Sequence, residues 1–253
     1  MKRILIFIYG MLCYAISFAT LLYAIGFIGN FAVPKSIDSA RELPLTMALL
    51  ADLALLGLFA VQHSVMARPA FKRWWTRIVP ETAERSTYIL FASLTLIALF
   101  ALWQPIGGVV WDVAAPEARI ALHAGFALGW ALVLVSTFLI NHFDLFGLRQ
   151  IWLQLLGRPY EPLPFKNVAL YQHVRHPLYL GFFFAFWATP TMTVTHLVFA
   201  LAACAYILVA IQFEERDLLE VHPEYADYRR HVPMLVPSLR RHHGAAGRAT
   251  SGG

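Results

Sequence analysis

Charge is what this chain most conspicuously lacks. Asp, Glu, Lys and Arg make up 14% of its 253 residues, against about 25% in an average soluble domain. So few charges cannot cover a water-facing surface of this size, and 59% of the residues are hydrophobic. Cysteine is almost missing: Cys13 and Cys204 are the only two, which excludes a disulfide framework. Both fall in apolar runs and read as small buried residues. There is no internal repeat, no low-complexity linker and no haem-attachment motif, and His63, His123, His142 and His196 do not form a paired ligand pattern across two spans. We therefore expect no metal and no haem.

What is present is length of apolar chain. A membrane span needs roughly 20 mostly apolar residues. Ile4 to Ile28 meets this without a charge, and Leu45 to Val61 follows, interrupted by Asp52. Thr87 to Trp103 and Ile120 to Ile140 are two more. Leu178 to Phe213 is too long for one span and has Pro190 among threonines near its middle. It predicts a helical hairpin, with Pro177 to Thr189 descending and Thr195 to Phe213 returning. The first run follows Lys2 and Arg3 but exceeds a signal core and has no clear cleavage site after it, so it reads as a retained helix. The fold class expected is all-α: a polytopic transmembrane bundle of about six spans, with a short amphipathic C-terminal helix. Residues 1–240 form one membrane domain and 241–253 a disordered tail.

With the N-terminus inside, 17 of the 20 lysines and arginines lie on the cytoplasmic side, leaving Lys35, Arg41 and Arg119 outside. That bias is the positive-inside pattern. The formal net charge of +5 is thus an orientation signal, and no nucleic-acid partner is expected. Both termini are placed in the cytoplasm.

The cytoplasmic segments, Gln62 to Ser86, Asn141 to His176 and Glu214 to Pro237, hold most of the polar and aromatic side chains. Two clusters stand out. In the first, Tyr171-Gln-His-Val-Arg-His-Pro-Leu-Tyr-Leu-Gly181, Pro177 suits the first position of a helix. Arg175 and His176 then sit at its mouth, Tyr179 lies in its first turn, and Gly181 permits close approach. A helix N-terminus beside an arginine can hold a carboxylate or phosphate, although the same residues can also anchor a helix to lipid headgroups. The second cluster, Glu214-Glu215-Arg216-Asp217, ends the returning arm, where anchors are normally basic and ionisable groups usually have a partner or a task. A hairpin brings it back beside Pro177. Tyr225 and Tyr228 follow on one face of a short helix at three-residue spacing. A solvated amphipathic helix with paired glutamates remains the alternative reading.

These clusters, in this order around a hairpin, resemble the isoprenylcysteine carboxyl methyltransferase and phospholipid methyltransferase group, over roughly the last 70 residues. The matching residues are Tyr171, Val174-Arg175-His176-Pro177, Tyr179, Gly181, Glu214-Glu215, Leu218, Tyr225, Tyr228, Val232-Pro233 and Pro237. Gln62-His63-Ser64-Val65-Met66-Ala67-Arg68-Pro69, Glu84-Arg85-Ser86-Thr87-Tyr88 and Asn141 to Gln150 resemble the nurim family. Within it, the whole chain looks like the bacterial methanethiol S-methyltransferases.

The resemblance implies an inner-membrane enzyme that methylates a small thiol with S-adenosyl-L-methionine, giving dimethyl sulfide. It implies that the Arg-His-Pro and Glu-Glu regions line the cofactor pocket. Arg175 would take the donor's carboxylate, Glu214 or Glu215 the ribose hydroxyls, and Tyr171, Tyr225 or Tyr228 the adenine, with His176 and Tyr179 beside them. The thiolate is the nucleophile, so a base or nearby positive charge is needed; His63, His142, Asp144 and His176 are the candidates. The rival readings are methylation of a lipid or isoprenylated cysteine, a non-catalytic nurim-like protein, and a haem or transport protein.

Overall fold

The computed structural model describes residues 1–237 apart from Arg41; the expected tail, 241–253, lies outside the described residues. Among these, five helices are long and apolar enough to cross a membrane. They are α1 (Lys2–Gly29), α2 (Leu45–Ala67), α4 (Glu81–Leu102), α5 (Pro116–Ile140) and α9 (Val194–Val221). At the end of the bundle where α1 begins, short helices α3 (Pro69–Trp75), α6 (His142–Leu145), α7 (Leu148–Leu156) and α10 (Tyr225–His231) join the spans. The protein is an all-α integral membrane bundle.

The first arm of the last hairpin ends two residues short of the expected Thr189, and the returning arm runs past the expected Phe213 to Val221. Helix α8 runs only from Pro177–Trp187, 11 residues, or about 16 Å. That is half of a roughly 30 Å hydrocarbon layer. The remaining descent is extended chain that ends in β2 (Thr191–Thr193), paired antiparallel with β1 (Val109–Asp112). Trp111 faces Met192 in this ribbon. The ribbon satisfies backbone groups that a full helix would have paired internally. Thr193 then caps α9 by accepting from the His196 N–H at 3.0 Å.

Glycine sets the seat of α8. A Cβ on Gly129 of α5 would lie 2.5 Å from the Ala185 nitrogen and 2.7 Å from the Gly181 carbonyl. One on Gly181 would lie 2.6 Å from the Gly129 carbonyl. The two backbones therefore touch directly, the small-residue packing that membrane helices use in place of a hydrophobic drive. Around this contact the core is aromatic: Phe27, Phe100, Trp103, Phe126, Phe186 and Phe199 are all buried. Asp52, fully buried in α2, accepts from the backbone N–H of Gln104 at 2.8 Å, just past the end of α4. Cys13 and Cys204 are buried and unpaired.

Candidate active site

The mouth of α8 is tied into a buried ionic knot. Glu215 is 2% exposed. It accepts from Arg175 Nε at 2.8 Å, faces His176 Nε2 at 3.0 Å and pairs with Arg229 Nε at 3.1 Å. Arg175 Nη1 also donates to the carbonyls of Arg229 and Val232. The backbone N–H groups of Arg175 and His176 donate to the carbonyls of Pro233 and Met234 at 2.9 and 3.1 Å. The chain after α9 is thus strapped across the start of α8, and the hairpin ends meet.

Glu214, its neighbour on α9, points elsewhere. Successive helical residues diverge by about 100°, so one carboxylate is locked inward while the other keeps 45% side-chain exposure. Its Oε2 accepts from the Tyr179 hydroxyl at 2.8 Å, and it faces a cavity of about 840 Å³. Tyr171, Arg175, His176, Tyr179, Glu214, Tyr225 and Tyr228 all line that cavity, whereas Glu215 lies behind its wall. Lys72, Arg85, Gln150, Arg158 and Phe165 complete much of the lining.

Burial pushes the Tyr171 phenol well above the ordinary range, with Glu214 adding to the effect. The Tyr225 phenol is likewise raised, by burial and then by Glu215 against the opposing Arg175. Tyr228 is pushed up to about 12, again mainly by burial; its hydroxyl donates to the Tyr171 carbonyl at 2.6 Å. All three are neutral phenols at neutral pH. Among the described residues, one polar atom of the lining is buried without a hydrogen-bond partner, the Gln150 Oε1, while the Tyr225 hydroxyl lies against Glu215. Buried groups of that kind are normally satisfied, so the Gln150 oxygen is open to a bound molecule.

The chain is 56% identical over 240 residues to the methanethiol S-methyltransferase of Crocosphaera subtropica, covering 94% of each chain. It is 55% identical over 243 residues to the methanethiol S-methyltransferase of Mycobacterium tuberculosis, covering 96% of this chain and all of that one. The chain belongs to the methanethiol S-methyltransferase family. Nurim from Rattus norvegicus is a more distant relative, 32% identical over 179 residues, 66% of each chain. No protein-family model matches the chain. No solved structure matches it either.

In this member of the methanethiol S-methyltransferase family, the four candidate acid–base residues are scattered, and His176, in the cavity lining, is held against Glu215. Asp144 lines the cavity but is already engaged, accepting from Arg149 Nη1 at 3.1 Å and from the Tyr160 hydroxyl at 3.2 Å. His142 is buried away from the cavity lining, its ring nitrogens 2.9 Å from Thr137 Oγ1 and 2.9 Å from the Tyr14 hydroxyl. It stacks on Phe138 with ring centroids 4.3 Å apart, which fixes it as a strut between α1 and α5. His63 also stands outside the lining, 3.0 Å from the Tyr88 hydroxyl. Sequence reasoning did not single out Lys72, Gln150 or Phe165 as lining residues. Arg85 sat within a recognised motif and Gln150 at the end of another; no signal marked Phe165.

Proposed function

We propose that this protein transfers the methyl group of S-adenosyl-L-methionine to methanethiol, forming dimethyl sulfide and S-adenosylhomocysteine, in the bacterial inner membrane with both termini in the cytoplasm. The observation that carries the reading is the cavity at the mouth of the last hairpin, with a solvent-reachable carboxylate, neutral phenols and several cations on one wall. Near-full-length identity to proteins named for methanethiol supports the acceptor.

The lining suits the donor's three handles. Its volume falls within the roughly 300–1,000 Å³ of small-molecule sites. Glu214, oriented by Tyr179, accepts from the ribose hydroxyls. Tyr225 and Tyr228, with Phe165 5.6 and 5.2 Å from them, flank the adenine, and the unpartnered Gln150 Oε1 is an acceptor for its amine. The donor's carboxylate falls to Arg175 Nη2, since Nε and Nη1 are held by Glu215 and two carbonyls, or to Arg85, Arg158 or Lys166 of the same lining. The bound donor supplies a sulfonium methyl group open to in-line displacement; the protein's task is to hold it in that line.

Purified protein supplied with donor and methanethiol is expected to release dimethyl sulfide into the headspace and to bind S-adenosylhomocysteine in calorimetry. Methylation of a lipid or isoprenylcysteine with no dimethyl sulfide would replace the acceptor. Absence of any cofactor binding would overturn the reading.

A further inference from the structure

A second polar cluster lies deeper in the bundle, beside the cavity wall. His63 of α2 meets the Tyr88 hydroxyl of α4 at 3.0 Å. The next residue, Ser64, meets the Tyr206 hydroxyl of α9 at 3.1 Å. Phe59 stacks on His63 at 5.1 Å and stands edge-on to Tyr206 at 6.1 Å. The cluster abuts the donor cavity. Tyr179, bonded to Glu214 at 2.8 Å, lines that cavity, and so does Arg85. The Arg85 guanidinium stands 5.1 Å over the Tyr88 ring.

An imidazole inside a span is uncommon and usually functional. The helix that carries it is the least covered of the five spans. In α2, 11% of the most apolar window is buried, against 28% or more in each of the other four spans. The seam between α2 and α9 is bridged at its inner end by Arg68, 3.0 Å from Asp217 and 5.4 Å above the Phe213 ring. Deeper along the seam stand the Ser64–Tyr206 bond and the Phe59 ring. An apolar thiol partitions into hydrocarbon and meets its first polar groups here.

We infer that Tyr88, His63, Ser64 and Tyr206 form the subsite of the thiol acceptor, reached from the bilayer along the α2–α9 seam. The inference rests on the thiol methyltransferase reading. Tyr88 is the catalytic residue: its oxygen accepts the S–H proton as its own proton passes to His63. The thiolate's electron pair then forms the new S–C bond while the donor's C–S bond breaks, its pair remaining on the donor sulfur as a neutral thioether. His63 ends with the proton and releases it to water. The Arg85 charge above the Tyr88 ring favours the anion during transfer. Tyr206 and Ser64 bound the space for the alkyl group.

Two variants test this. Tyr88→Phe, which removes one oxygen, is expected to lower kcat/KM for methanethiol at least ~100-fold, while S-adenosylhomocysteine affinity stays within about twofold. Turnover within about threefold of wild type would overturn the proton path, since general acid–base groups contribute far more. Tyr206→Ala is expected to raise the preference for propanethiol over methanethiol at least ~10-fold, the scale of a hydrophobic pocket's discrimination. A loss of structure does not produce that gain, and an unchanged preference overturns the placement of the subsite. Wild-type protein that fails to bind S-adenosylhomocysteine would instead overturn the donor reading, so the two failures are told apart.

Discussion

Arg175 Nε donates to Glu215 Oε1 across 2.8 Å, with 10% and 3% of the two side chains exposed. The first residue stands at the mouth of α8 and the second near the end of α9, 40 positions apart. Their contact holds the hairpin ends together and, through Arg229, brings the C-terminal strap onto the same point. It takes one of the five guanidinium N–H groups, and Nη1 goes to two carbonyls, which leaves Nη2 on the cavity side.

Removing one partner from such a knot leaves a buried charge uncompensated, which costs about 3–5 kcal/mol. Glu215→Ala is therefore expected to lower the thermal midpoint of the purified protein sharply and to weaken cofactor binding with it. A variant as stable as wild type would show that the knot does not hold the strap.

Glu214→Ala should behave differently. That carboxylate faces the cavity and has one hydrogen-bonded neighbour, Tyr179. S-adenosylhomocysteine affinity is expected to fall at least ~10-fold, the loss of a charged hydrogen bond, with little change in thermal midpoint. Calorimetry and a melting curve on one preparation separate the two glutamates; Arg175→Ala should lose both properties.

The Gly129–Gly181 contact leaves no room for a side chain, because the atoms in the way are backbone. Gly181→Ala is expected to cost about 1–3 kcal/mol by overpacking. It should also reduce cofactor affinity, since α8 carries Tyr179 into the cavity two residues earlier. Retained melting temperature and binding would mean that the helices can separate freely.

High pH should undo the strap. Tyr228 rises from an ordinary 10.0 to about 12, so the folded state keeps a proton that the unfolded chain gives up first. The unfolded state then binds fewer protons, and stability falls as pH rises. The contribution is complete below pH about 10 and is lost on approach to about 12; Tyr171 and Tyr225 act in the same direction. Thermal midpoints measured across that interval should decline, and less steeply in Tyr228→Phe. A flat profile would contradict the burial of these phenols.

The hairpin mouth was legible because proline before an apolar run and paired glutamates after one are local signals. The ribbon beyond α8 was not. Hydropathy registers apolar residues, whereas this turn-back depends on β2 pairing with β1, some 80 residues earlier in the chain. Likewise Glu214 and Glu215 look equivalent in sequence; their division of labour comes from the rotation between neighbouring helical positions. The partner of His142, Tyr14, lies 128 residues away and could not be read from spacing, nor could the Tyr88 partner of His63.

The cavity opens among water-reachable loops, while the phenol cluster beside it borders the α2–α9 seam. For the proposed reaction this geometry sorts traffic by solubility. The spent nucleoside, charged and bulky, departs toward the aqueous compartment, whereas the volatile sulfide dissolves sideways into the acyl chains. Neither leaving molecule blocks the path of the other, and turnover does not have to wait for a single shared exit to clear.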